Sequence, residues 1–222
     1  MSLLPYLERE TGQPVDASVI WLHGLGADGH DFDPIVPELR LPDSARIRFI
    51  FPHAPKIPVT VNGGMVMPAW YDIKAMDLER HLDTDQLQSS ADAVRALIDQ
   101  EIERGIPAER IILAGFSQGG AVAYLTALTY PDRLAGLLTL STYLAVNPLD
   151  RAADANRDLP ILACHGRQDP MVPEFLGRQA VETLEAAGYP VQYRTYDVEH
   201  GVCLEEVRDI GTWLQQRLGL GD

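Results

Sequence analysis

Three residues far apart in the chain could together carry nucleophilic acyl transfer. They are the serine at the centre of Gly115-Phe116-Ser117-Gln118-Gly119, the aspartate of Gly166-Arg167-Gln168-Asp169-Pro170, and the histidine of Glu199-His200-Gly201. A serine hydroxyl attacks poorly until an imidazole accepts its proton, and that imidazole works best when a carboxylate holds its other nitrogen. The reaction also needs two N–H groups converging on the oxygen that becomes negative. One is expected from Gln118, directly after the serine. The second is expected from the glycine loop His23-Gly24-Leu25-Gly26-Ala27-Asp28, with Leu25 N–H favoured over its neighbour Gly24.

The bare Gly-x-Ser-x-Gly pattern is common by chance, and an ordinary strand-to-helix turn is its structural alternative. The context favours chemistry. An apolar run at Ile111 to Ala114 reads as a buried strand, and a small-residue helix is predicted from Gln118 to about Tyr130. A serine at such an apex is lifted clear of the backbone with the positive end of a helix behind it. The rivals for the other two roles are His165, His23, Asp197 and Glu199. His165 is expected to support the Asp169 loop, and His23 to pack beneath the oxyanion site. Asp197 and Glu199 adjoin His200 too closely in sequence to orient it well. The order Ser117, Asp169, His200 is the one found in α/β-hydrolases, and differs from the orders in chymotrypsin and subtilisin.

The elements that must position these residues alternate between apolar runs and helical periods. Buried strands are expected at Ser18 to Leu22, Ile47 to Phe51, Ile111 to Ala114, Gly136 to Leu140, Ile161 to His165 and Val191 to Tyr196. Tyr6 to Glu10 adds an edge strand. Helices are expected from about Asp85 to Arg104, with a capping box at Asp83 and Gln86, from about Glu174 to Ala187, and from about Cys203 to Arg217. Continuous apolar strands between amphipathic helices predict an α/β fold, a mostly parallel, doubly wound sheet covered on both faces. No repeat or linker interrupts residues 1–222, so one domain is expected. One stretch has no helical period. Residues 52–83 include Val59 to Met67, read as a hairpin turned at Asn62-Gly63, which would expose Met65, Met67, Trp70 and Tyr71 as a wall of a substrate groove. The bland alternative is a flap packed on the core or a dimer contact.

The 222 residues are 46% hydrophobic and 23% charged, enough for one large core. A net charge of −14 without a basic cluster disfavours nucleic acid and anionic membrane surfaces as partners. No apolar run is long enough to span a bilayer and no leader is evident, so a cytoplasmic location is expected. Cys164 and Cys203 are expected to be reduced, and no pair of Cys or His residues shows metal-ligand spacing, so neither metal nor cofactor is expected.

Five segments lie in register along the chain: Trp21-Leu-His-Gly-Leu-Gly-Ala, Met67-Pro-Ala-Trp-Tyr-Asp-Ile, Ala114-Gly-Phe-Ser-Gln-Gly-Gly-Ala, His165-Gly-Arg-Gln-Asp and His200-Gly-Val-Cys-Leu-Glu-Glu. Together they closely resemble the phospholipase/carboxylesterase family of α/β-hydrolases, which includes bacterial carboxylesterases and eukaryotic acyl-protein thioesterases. The resemblance runs from about Ala17 to Leu218. It implies a Ser117, Asp169, His200 triad with oxyanion donors Leu25 and Gln118, an open site without a large cap domain, and pairing into a homodimer as members commonly do. Met65, Trp70 and Tyr71 are the expected substrate-binding residues. The expected activity is serine carboxylesterase on short to medium acyl chains, with a small-molecule ester or thioester as substrate. A lysophospholipase or acyl-protein thioesterase acting on long chains is the alternative, and a catalytically silent binding protein the second. The loop at the histidine departs from the family's usual pattern: Glu199 stands where glycine is frequent and Leu204 where proline is, and a carboxylate beside His200 would favour its protonated form.

Overall fold

The computed structural model describes residues 3–75 and 81–221. Its core is a seven-stranded sheet in the order β1-β3-β2-β6-β7-β8-β9. The strands are β1 (Tyr6–Glu10), β2 (Ala17–Leu22), β3 (Ile47–Pro52), β6 (Ile111–Phe116), β7 (Gly136–Leu140), β8 (Ile161–Gly166) and β9 (Val191–Tyr196). Only the edge strand β1 runs antiparallel to its neighbour. The predicted strands are all present, within a residue or two of their expected ends.

Each central strand alternates its side chains between two apolar layers, which is why the sequence shows unbroken hydrophobic runs. Ile20, Leu22, Leu113 and Leu137 face one layer; Val19, Trp21, Ile112 and Leu138 face the other. The first layer is covered by α1 (Thr84–Glu103), α2 (Gln118–Thr129) and the Leu184 side of α3 (Glu174–Ala186). The second is covered by α4 (Leu204–Leu218) and a 3-10 segment, Asp33–Leu39. Residues 141–160, between β7 and β8, contain only two short 3-10 turns, Leu149–Arg151 and Asp154–Asn156. No cap domain is inserted there.

The chain moves from β2 outward to β3 and then back past β2 to β6. In an open parallel sheet, this reversal leaves a crevice beyond the carboxyl ends of the two strands flanking it. Those ends are Leu22, which leads into His23-Gly24-Leu25, and Phe116, which leads into Ser117. The fold therefore puts the glycine loop and the serine turn side by side.

Two local expectations are corrected. The hairpin exists, as β4 (Lys56–Val59) paired with β5 (Met65–Pro68), but its turn is longer than Asn62-Gly63. A 3-10 turn at Thr60–Asn62 is followed by Gly63 and Gly64, both with positive φ, so five residues separate the strands rather than two. The capping box is half made. Asp83 accepts from the Gln86 backbone N–H at 3.0 Å, but the Gln86 side chain accepts from Asp72 N–H instead of turning back to Asp83. A tertiary donor, the Asp72 N–H, outcompetes the local Asp83 N–H for the Gln86 side-chain oxygen. Residues 76–80 of the irregular stretch lie outside the described residues.

Candidate active site

Ser117 occupies the residue between β6 and α2 with φ 52° and ψ −118°. A β-carbon in that left-handed region is strained by about 1–3 kcal/mol, and the surroundings must hold it there. Glycine is needed close by for a steric reason. A β-carbon on Gly115 would strike the Gly119 carbonyl, and one on Gly119 would strike the His23 carbonyl. The helix start can thus rest directly on the loop that follows β2. The Ser117 carbonyl accepts from Gly120 and Ala121 N–H groups, and from Thr142 Oγ1 at 2.6 Å. Thr142→Val keeps the shape and removes the last of these bonds; kcat is expected to fall about 3–10-fold with KM unchanged, while Thr142→Ser retains wild-type kcat. Steady-state kinetics on an activated ester check this.

Although Ser117 is the N-cap of α2, its hydroxyl makes no capping bond. It lies 2.9 Å from His200 Nε2 instead. His200 Nδ1 lies 2.6 Å from Asp169 Oδ2. The Asp169 side chain is fully buried, and its other oxygen accepts from the Met171 and Val172 backbone N–H groups at 2.9 and 2.8 Å. Burial alone would push its carboxyl up. The hydrogen bonds from His200, Val172 and Met171 outweigh that and hold it below the usual carboxylate range. An ionised Asp169 can only accept, so His200 Nδ1 carries a proton and Nε2 presents its lone pair to the serine hydroxyl. The Phe116 ring packs on the imidazole with centroids 4.8 Å apart.

The rivals occupy other roles. His165 is buried, with Nε2 2.8 Å from the Val172 carbonyl, and so supports the Asp169 turn. His23 Nδ1 donates to the Gly24 carbonyl at 2.7 Å, and its Nε2 accepts from Ala54 N–H at 3.1 Å. Burial opposes its charge and lowers its pKa, outweighing the hydrogen bond to the Gly24 carbonyl, which acts the other way. Asp197 pairs with Arg167 at 2.6 Å. The Glu199 side chain is exposed, and both ring nitrogens of His200 are occupied by other groups.

Neither the Leu25 nor the Gln118 backbone N–H has an acceptor among the described residues. Both residues line a cavity of about 410 Å³ together with Ser117 and His200. Two unspent donors beside a serine–imidazole pair are what an oxyanion requires.

The groove expectation is corrected in detail. Met65 is 63% exposed at the outer end of the hairpin. Trp70 and Tyr71 are buried, at 1% and 0% exposure. None of the three lines the cavity. Past β5 the chain dives under the site, where large aromatic rings bury most area if their polar atoms find partners. Trp70 Nε1 donates to the His23 carbonyl at 2.8 Å, and the Tyr71 hydroxyl lies 2.9 Å from that of Tyr143. The apolar wall is built instead by Leu25, Met67, Ile73, Phe116, Met171 and Val172. Of the four residues expected to form the groove wall, Met67 alone lines the cavity. Phe116 and Tyr143 carried no signal beyond adjacency to strand ends.

Residues scattered in sequence also meet at a second place. Ligand atoms of Asp28, His30 and His53 lie within 4.8 Å of one another. His53 Nδ1 already accepts from Gly29 N–H at 3.1 Å, and His30 Nδ1 lies 2.9 Å from Asp28 Oδ1. The group satisfies itself by hydrogen bonds, and using either Nδ1 as a ligand atom would break one of them. Both cysteines are free. No helix among the described residues is long and apolar enough to cross a membrane.

A mostly parallel sheet of this topology, with a serine at the strand-to-helix apex, a histidine–aspartate pair beside it and an apolar cavity, defines a carboxylic ester or thioester hydrolase of the α/β-hydrolase fold. The chain belongs to the phospholipase/carboxylesterase family, whose model matches residues 9–218. It is 40% identical to acyl-protein thioesterase 1 of Gibberella zeae over 213 residues, covering 91% of each chain. Among solved structures it is similar to SOBER1 of Arabidopsis thaliana, with a TM-score of 0.87 and 31% identity over 92% of this chain and 100% of that one. It is also similar to acyl-protein thioesterase 2 of Zea mays, with a TM-score of 0.84 and 28% identity over 97% and 99%.

Proposed function

We propose that this protein hydrolyses acyl thioesters and esters in the manner of an acyl-protein thioesterase, with Ser117 as nucleophile, His200 as general base and acid, and Asp169 as the group that orients His200. The observation that carries the reading is the unbroken line from Asp169 Oδ2 through His200 to Ser117 Oγ, at 2.6 and 2.9 Å, opening on an apolar cavity. The thiol or alcohol product and the free acid form in two steps. Ser117 Oγ bonds to the acyl carbon while its proton passes to His200 Nε2. The oxyanion is held by Leu25 and Gln118 N–H groups. The carbon–sulfur or carbon–oxygen bond to the leaving group then breaks, and His200 returns the proton to the departing atom. Water repeats the sequence on the acyl-serine. Asp169, held ionised, steadies the imidazolium at each pass.

The long-chain reading is preferred to a short-chain carboxylesterase for two reasons. The relatives of this length and similarity are named acyl-protein thioesterases. The cavity wall beside Ser117 is largely apolar, with Met67, Ile73 and Met171 beyond the reacting centre. A rate series checks it. Across acetyl, octanoyl and palmitoyl thioesters of one thiol, kcat/KM is expected to rise by roughly 10-fold or more from acetyl to octanoyl, as buried methylenes add transition-state binding. A steady fall beyond acetyl would return the protein to the short-chain reading.

A further inference from the structure

The polar atoms of Trp70 lie between the two segments that present the unspent N–H groups. Its indole Nε1–H donates at 2.8 Å to the carbonyl of His23, two residues before Leu25. Its backbone N–H donates at 2.7 Å to Gln118 Oε1, and the Gln118 side-chain amide donates at 2.7 Å to the next carbonyl, that of Tyr71. The third polar group, the Trp70 carbonyl, accepts from Ser90 Oγ on α1. Trp70 is therefore bonded at once to the loop after β2, to the first residue of α2, and to a helix of the core.

These ties are buried: Trp70, His23 and Gln118 are 1, 1 and 2% exposed. No water competes for them, so each bond constrains direction strongly. The His23 carbonyl is also the atom that a β-carbon on Gly119 would strike, so loop and helix touch with nothing between them. The next peptide unit, which joins the Gly24 carbonyl to the Leu25 N–H, is held as well, by His23 Nδ1 donating to the Gly24 carbonyl at 2.7 Å. A partner for a buried indole N–H is not automatic in this protein. Trp21 Nε1 and Trp213 Nε1 are buried with no hydrogen-bond partner among the described residues.

We propose that Trp70 is a positioning residue that sets the separation and aim of the Leu25 and Gln118 N–H groups. The proposal rests on the reading of Ser117 as nucleophile. Oxyanion donors act only over about 2.7–3.1 Å, and they act on charge that appears in the transition state. Slackening the His23 carbonyl tilts the following peptides and loosens Leu25 N–H from that position. The substrate's ground state, held by the apolar wall, does not register the change. The loss therefore falls on kcat and leaves KM.

The test deletes one hydrogen and keeps the shape. Trp70 is replaced site-specifically by benzothienylalanine, in which sulfur stands in place of the indole N–H, and Trp70→Phe is made as a second variant. Each is assayed on p-nitrophenyl butyrate and titrated with an alkylboronic acid, which forms a tetrahedral anion on an active serine. For both variants kcat is expected to fall about 10-fold, boronic acid affinity to fall by a similar factor, and KM to stay within about twofold. A kcat loss under about threefold in the benzothienylalanine protein, or a loss carried in KM, overturns the proposal. If the wild-type protein neither turns over the ester nor binds the boronic acid, the Ser117 reading has failed and the role of Trp70 falls with it. If wild type does both and the isostere matches it, the Ser117 reading stands and only the role of Trp70 falls.

Discussion

Ser117→Ala is expected to reduce kcat on an activated ester by about 10⁵–10⁶-fold while leaving the fold intact. The size follows from what is removed. Alanine deletes the oxygen proposed to bond to the acyl carbon, and His200 Nε2 loses its partner at 2.9 Å. Attack by water in the vacated space retains the oxyanion donors and the binding cavity, which together leave a residue of roughly 10³–10⁴ over the uncatalysed rate. Stability is expected to change little, because alanine keeps the β-carbon at φ 52° and the hydroxyl makes no capping bond to the helix. Fluorophosphonate labelling gives an independent check: wild type is labelled at residue 117 and the variant is not. Turnover by the variant within about 10-fold of wild type would sink the nucleophile assignment.

The second large effect is on stability and lies outside the chemistry. Glu206, in the first turn of α4, is fully buried, and among the described residues its carboxylate has no donor closer to hydrogen-bonding geometry than the loosely placed Cys203 backbone N–H. Burial pushes its carboxyl up to about 8; the Cys203 backbone N–H at the helix start pulls the other way, and Asp209 adds to the rise. Around it, the Cys164 thiol on β8 is itself raised by burial and by Glu206. Tyr196 on β9 donates to Asp209 at 2.8 Å, and Arg194 pairs with Asp209 at 2.6 Å, so the nearby cation is already committed.

A carboxyl whose pKa is raised on folding stabilises the native state relative to its ionised form only while it stays protonated. Its contribution is full below the unfolded value of 4.5 and is lost progressively as pH rises towards about 8. The corresponding penalty at and above pH 8 is up to about 4–5 kcal/mol. Glu206→Gln removes the ionisable group at nearly constant volume. The variant and wild type are expected to melt together near pH 4.5, and the variant to melt about 10 °C higher near pH 8.5. Melting curves that run parallel across this range would show that Glu206 does not titrate between the two states. Because α4 begins just past His200, loss of activity in alkali is expected to track the wild-type melting shift rather than the variant's.

The fold was legible where burial on both sides of the sheet left an unambiguous mark. Runs such as Ile111 to Ala114 and Gly136 to Leu140 read as parallel strands because no solvent-facing residue interrupts them. The proposed triad is legible for a related reason: once the strands are placed, the loops at their carboxyl ends converge, and Ser117, Asp169 and His200 stand in three of them. Glu206 shows a weaker kind of legibility. It shares the face of α4 that carries Ile210, Trp213 and Leu214, a core-facing position, but helical periodicity registers apolar residues and passes over a lone acid.

What the sequence by itself determined is the layered sheet, the order of its loops, and the chemical types gathered at one edge of it. Local composition decides these, through hydrophobic period and the few residues that can make a sharp turn. Only the tertiary structure decided which side chains face the cavity. The stretch from Met65 to Tyr71 has apolar and aromatic residues at nearly every position, so no period says which point in and which point out. The choice is made by long-range partners. The His23 carbonyl and the Gln118 amide capture Trp70 beneath the site, and the five-residue turn at residues 60–64 leaves Met67 on the cavity wall and Met65 in solvent.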